Sequence, residues 1–162
     1  MPNWILNSTP IIVLARMNLD RLITQLSDEI MIPEEVMEEI NAGPKDDPAI
    51  LWLKQNGLNY VKPPIPLSTS IAAWDLGKGE TAVLNWGYQN RTWEVVVDDK
   101  AARKCAKVLG INYLGTIGII VRAKKHGLIE QAKPLLQELP KYGFYIDSLT
   151  TNKAIHLAGE GE

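Results

Sequence analysis

The sequence predicts an α/β fold built on a mostly parallel sheet. Three observations carry this reading. Short β-rich apolar runs alternate with helix-period segments from one end of the chain to the other, the pattern of strands joined by helical crossovers. Several of the runs stop on polar residues, at Asn7, at Asp98-Asp99 and at Gly115-Thr116. The chain has 162 residues, 46% hydrophobic and 22% charged, which is enough for one domain with a real core.

Trp4-Ile5-Leu6 reads as a short buried strand. Pro10 suits the first turn of a helix, with Ser8 or Thr9 to cap it, and Ile11 to Met17 is apolar nearly all round, so that helix is expected to be well buried. Asn18 is expected to cap a second helix, Leu19 to Leu26. Glu29 to Ile32 is the second strand. Pro33 ends it and opens a helix through Ile40, with Glu34 and Glu35 in the favourable first turn. Asn41-Ala42-Gly43-Pro44 stops that helix, a weaker one runs from Ala49 to Gln55, and Tyr60-Val61 reads as a third, edge-like strand. The proline-rich stretch Lys62 to Leu67 is a loop inside one domain, because proline removes donors and fixes φ.

Thr69 to Asp75 reads as a short helix, and Thr81 to Gln89 as a longer one with Ala82, Val83 and Trp86 inward. The strand Trp93 to Val97 leads into Asp98-Asp99. In the helix Lys100 to Leu109, Ala102, Cys105, Ala106 and Leu109 share one face and Lys100, Arg103, Lys104 and Lys107 the other. Ile111 to Leu114 is a strand ending at Gly115-Thr116. Helices follow over Ile117 to Lys125 and roughly Pro134 to Leu139, Gly143 to Ile146 reads as an edge strand, and Asp147 or Ser148 caps a last helix through about Leu157.

Composition excludes several classes. A net charge of −2 argues against coating nucleic acid by bulk charge. A single cysteine, Cys105, rules out an internal disulfide framework and suits a reducing cytosol. Met1 to Asn7 does not read as a signal peptide, and the apolar stretch Tyr113 to Val121 is too short to span a membrane, so a cytoplasmic protein without a membrane partner is expected.

Adjacent carboxylates at a strand end are costly unless positive charge is near, and a divalent ion held by carboxylates is mostly used on phosphates. Asp98 or Asp99 equally suits the cap of the following helix, and either can cap while the other faces a site. Glu80 follows Gly79 at a helix start, where a first-turn glutamate is also favourable to the dipole. Gly77-Lys78-Gly79 lacks the spacing of a phosphate loop. On a helical wheel Glu39 lies about 105° from the apolar centre of its helix, at the core boundary, and Glu38 about 155°, facing water. The stripe Lys100, Arg103, Lys104 and Lys107 is either a solvated face or a phosphate-steering one. His126 and His156 lack partners at metal-ligand spacing, and Cys105 lies on an apolar face.

These stretches together resemble the PIN domains. Ile5-Leu-Asn7-Ser-Thr9-Pro10 is similar to their opening, where a strand ends in Asp followed by Ser or Thr. Ile32-Pro33-Glu-Glu-Val36-Met-Glu-Glu39-Ile40, Leu76-Gly-Lys-Gly79-Glu80-Thr-Ala82 and Val97-Asp98-Asp99-Lys-Ala-Ala-Arg103 resemble the second, third and fourth acidic motifs. Gly115-Thr116-Ile-Gly118, Arg122 to Ile129, Lys133-Pro134-Leu-Leu and Gly143-Phe-Tyr-Ile resemble the tail of a branch related to VapC-type toxins.

The resemblance implies a single PIN-like domain over residues 1–162, folded as a three-layer α/β/α sandwich. It implies a metal-dependent endoribonuclease, the toxin of a toxin–antitoxin pair, using Mg²⁺ or Mn²⁺ on an RNA substrate, with an antitoxin protein as partner and a homodimeric state. Carried over by position, Glu39, Glu80 and Asp99 are metal ligands with Asp98 the alternate, and Thr9 supports them; Thr116, just past a strand end, is a further supporting residue, and the stripe Lys100, Arg103, Lys104 and Lys107, which begins at this corner, is read as the contact to RNA phosphates. Asn7 departs from the pattern, standing where the first Asp is expected. An amide oxygen can reach Mg²⁺ but brings no charge and cannot act as a base. The alternative is therefore a PIN-like protein with a weakened or inactive site that serves as an RNA- or protein-binding module. A phosphate-transferring receiver is disfavoured, because it would need its acidic pair after the first strand.

Overall fold

β1 (Trp4–Leu6) is buried at every position and leads without a loop into α1 (Ser8–Arg16). The chain is described by a computed structural model over residues 1–161. After α1 come α2 (Arg21–Gln25), β2 (Ile30–Pro33), α3 (Glu34–Asn41), α4 (Pro48–Trp52), β3 (Val61–Lys62), α5 (Thr69–Ala72) and α6 (Lys78–Gln89). The second half comprises β4 (Glu94–Val96), α7 (Lys100–Leu109), β5 (Asn112–Leu114), α8 (Thr116–Lys125), α9 (Lys133–Glu138) and α10 (Ser148–Leu157).

The strands form one sheet in the order β3-β2-β1-β4-β5, and every pairing is parallel. Helices cover both faces, giving the three-layer α/β/α arrangement. Parallel strands buried on both faces need continuous apolar runs, which is what Trp4-Ile5-Leu6 and Val95-Val96-Val97 supply. A second apolar cluster, including Val13, Ile120, Leu136, Leu139 and Ile155, welds α1, α8, α9 and α10 together.

Register positions the site. Leu6 pairs with Val96, and Val96 with Leu114, so three strands end level. The chain moves outward from β1 to β2 and β3, then crosses back to β4 and β5, so the strand order reverses between β1 and β4. Ligand crevices in open α/β sheets form at that reversal, at the carboxyl ends of the strands. Asn7 and Asp98 are the residues just beyond it.

Most expected elements stand within a residue or two of their positions, and the exceptions have local causes. Gly143 to Ile146 forms no strand. A tight turn over Leu139–Tyr142 ends at Gly143 with φ +86°, and the Phe144 N–H closes back on the Leu139 carbonyl instead of a ladder. Asn18 does not cap α2: it takes a left-handed turn at φ +58°, a conformation asparagine tolerates, and α2 begins after Asp20. The helix after Asp47 widens into a π turn over Leu53–Gly57, where a side chain at Gly57 would meet Trp52 and Leu53 at 2.8 Å. α1 begins at Ser8, earlier than expected, so neither Ser8 nor Thr9 caps it and Asn7 is the capping position. Cys105 is fully buried as its helix face requires, and burial raises its thiol pKa. Among the described residues no helix is long and apolar enough to cross a membrane.

At the opposite, amino edge of the sheet, Glu94 holds the register. Its Oε1 accepts from the Trp4 indole N–H at 2.8 Å and from Arg122 at 2.9 Å, tying β4 to β1 and to α8. Glu94→Ala would leave a buried indole donor and a largely buried guanidinium without their acceptor. The expected loss is about 2–4 kcal/mol, read as a lower urea midpoint at unchanged slope, with Glu94→Gln losing less.

Candidate metal centre

Asn7 is held rigidly, because a strand ends at Leu6 and a helix begins at Ser8. It is 2% exposed, and its backbone N–H donates to the Val96 carbonyl at 3.0 Å. Its side chain caps nothing, and Oδ1 is buried without a hydrogen-bond partner. An acceptor left dry in this way costs about 1–3 kcal/mol; the Oε1 of Glu35, in the first turn of α3, is buried without a partner as well.

Glu39 reaches the same point from α3. The contact is possible because residue 79, in the first turn of α6, has no side chain. A Cβ on Gly79 would overlap the Oε1 of Glu39 and stand 3.2 Å from the Oδ1 of Asn7. Glu80 is the next residue of α6, and its Oε2 turns back to within 2.7 Å of where a Cβ on Gly77 would lie. Burial, then repulsion from Glu80, pushes the Glu39 carboxyl pKa up, while Lys78 and the Ser8 hydroxyl pull it back. Lys78 is itself exposed and paired with Glu38 at 3.1 Å. Glu38 faces water as the wheel reading expects; Glu39 is exposed as well rather than at the core boundary, and only its carboxylate turns toward the strand end, past Gly79.

The adjacent aspartates divide two tasks. Asp98 is the inward one. Its oxygens accept from the Thr116 N–H at 2.7 Å and the Thr116 hydroxyl at 2.6 Å, fastening β4 to the start of α8. Burial raises its carboxyl pKa, against the two bonds from Thr116 and the charge of Arg103. Asp99 is exposed and caps α7, its Oδ2 accepting from the Ala102 N–H at 3.0 Å. Thr116 is fully buried and donates its hydroxyl to Asp98, and Thr9 is half-buried in the first turn of α1.

The donors fit a hard cation. Asn7 Oδ1, Glu39 and Glu80 offer only oxygen, as Mg²⁺ and Mn²⁺ prefer, and Mg²⁺ ordinarily keeps several waters and needs only one or two carboxylates. Among the described residues, no group of three or more His, Cys, Asp or Glu stands together as a metal-holding cluster. The fit therefore depends on the amide oxygen of Asn7.

Lys100, Arg103, Lys104 and Lys107 are all exposed on α7, and with Tyr113 they line a surface depression. Sequence reasoning missed Ser8, Gly79 and Tyr113. The signal for Gly79 was present in Gly-Lys-Gly, but as a gap for a carboxylate from another helix rather than a phosphate loop.

The fold is a parallel α/β sheet with acidic residues near the point where its strand order reverses. The family model described as a PIN domain matches residues 3–160, and the chain belongs to the PIN-domain family. No curated protein matches the chain.

The raised pKa of Asp98 has a measurable consequence. Between the ordinary carboxylate value and the raised one, the folded chain binds more protons than the unfolded chain, so this group makes stability fall as pH rises through that window. Asp98→Asn keeps an acceptor for the Thr116 N–H and removes the titration. Urea midpoints measured across that window should decline less steeply for Asp98→Asn than for the native chain, with Glu39 supplying a residual slope of the same sign.

Proposed function

We propose that the chain is a metal-dependent endoribonuclease of PIN type, acting as a single domain over residues 1–162 with Mg²⁺ or Mn²⁺. The observation that carries this is the Asn7 amide oxygen, buried and unpartnered beside a carboxylate that only a glycine admits. Asn7, Glu39 and Glu80 would hold the ion, and the free Oδ1 of Asp99 is a further acid donor at this edge. An ion bound there supplies positive charge to a phosphodiester and lowers the pKa of a water it carries. Asn7 contributes an oxygen but takes no proton. Asp98 acts as a positioning residue, fixing Thr116 and the start of α8. Asp99, by starting α7, sets the direction in which Lys100, Arg103, Lys104 and Lys107 meet RNA phosphates.

A second reading has specific support as well. Asn7 in place of an acid, and only two carboxylates beside it, favour a weakened site in an RNA- or protein-binding module. The finer reading, a cytoplasmic toxin that pairs with an antitoxin protein and dimerises, draws its support from the resemblance to VapC-type toxins.

The readings separate on purified protein. A nuclease cleaves RNA with Mn²⁺ and stops on adding chelator. Glu39→Gln or Glu80→Gln should weaken Mn²⁺ binding at least roughly tenfold by calorimetry and abolish cleavage. Asn7→Asp should tighten Mn²⁺ binding and raise the cleavage rate. Cleavage by Asn7→Asp alone, with none by the native chain, decides for the binding module.

A further inference from the structure

Two depressions meet on the β5 side of the carboxyl edge, and Arg103 and Tyr113 line both. The first is otherwise bounded by Lys100, Lys104 and Lys107, with no acid among its lining residues. The second is largely apolar, with Tyr113, Leu114, Ile117 and Phe144 beside Asp98. β5 is the edge strand, so no further strand covers Tyr113. The Arg103 guanidinium stands 5.7 Å from the centroid of the Tyr113 ring. Phe144 reaches the depression because Gly143 turns the chain at φ +86° instead of continuing as a strand.

We infer that this pair of depressions is a seat for one unpaired nucleotide, with its base in the apolar half against Tyr113 and Phe144 and its flanking phosphates on the basic half. The inference takes the polymer, RNA, from the proposed function but does not depend on the metal. A polyanion alone would need only the lysines. A largely apolar hollow bearing two aromatic rings, joined to a cationic one through a shared tyrosine and arginine, matches a ligand that is apolar and aromatic at one end and anionic at the other. A nucleotide has that shape, and aromatic rings hold bases of any identity by stacking. Asp98 at the hollow does not spoil the match, because Thr116 donates to both its oxygens and Arg103 offsets its charge. In a duplex the base faces are already stacked and paired, so the seat accepts single strands or extruded bases only.

The test is binding of a labelled single-stranded RNA to the full chain, read by fluorescence anisotropy in chelator so that no cleavage intrudes. Tyr113→Ala and Phe144→Ala should each weaken binding roughly five- to 150-fold, and Tyr113→Phe should not. Neither alanine change should alter the dependence of affinity on salt, whereas Lys104→Gln should reduce that slope by roughly 0.7. On the native chain, an abasic oligomer of the same length should bind as weakly as RNA binds to Tyr113→Ala. The inference is overturned if the abasic oligomer or a duplex binds as well as the single strand, if Tyr113→Ala binds normally, or if an aromatic acidic peptide displaces RNA as well as unlabelled RNA does. Cleavage without dependence on Tyr113 would sink the seat and spare the nuclease; ring-dependent binding without cleavage would do the reverse.

Discussion

A carboxylate kept at the inner end of a parallel strand is the constraint on which this edge of the molecule depends. Asp98 is partly withdrawn from water, and a carboxylate so placed is stable when its lone pairs are answered. Thr116 answers with both its backbone and its hydroxyl. That requires close approach between β4 and the start of α8, and Gly115 permits it: a side chain there would stand 2.8 Å from the carboxylate. With Asp98 engaged, Asp99 is left to start α7, and the phase of α7 follows. Ala102, Cys105 and Ala106 go inward, and the cations go outward over the end of the sheet.

The other corner is organised by a missing atom. Two helices that each bring a glutamate toward one strand end would be driven apart by charge and by bulk. Gly79 removes the bulk, and it also lets the Glu39 carboxylate settle in the first turn of α6, where the helix dipole favours negative charge. What remains is the desolvation of the Glu39 carboxylate and, after it, the repulsion from Glu80, which together raise the Glu39 pKa. An unpartnered amide oxygen and a strained carboxylate at one point amount to an excess of acceptors over donors, which a proton or a cation relieves.

Much of this was legible in the sequence, because it rests on period and position. Alternating short apolar runs and amphipathic segments carried the parallel sheet. The basic face of α7 was visible for the same reason. What stayed hidden rests on contacts between segments distant in sequence. The division of labour between Asp98 and Asp99 turns on Thr116, eighteen residues further on, donating to one and not the other. The role of Gly79 exists only once α3 has packed on α6. Gly143 to Ile146 had strand-like composition, but the turn before it consumes the Phe144 N–H that a ladder would have needed.

The stabilising network of Glu94 lies at the amino edge of the sheet, and Asn7 lies at the carboxyl edge. The register of the sheet and the charge at Asn7 are therefore set by residues at opposite ends of the strands. Asparagine and aspartate have nearly the same shape, and their codons differ by a single purine transition. A lineage can thus cross between a charged and a neutral first position in one step, in either direction, without rebuilding the sheet. One base change at this codon therefore sets the charge at the strand end and leaves the Glu94 network at the opposite end untouched.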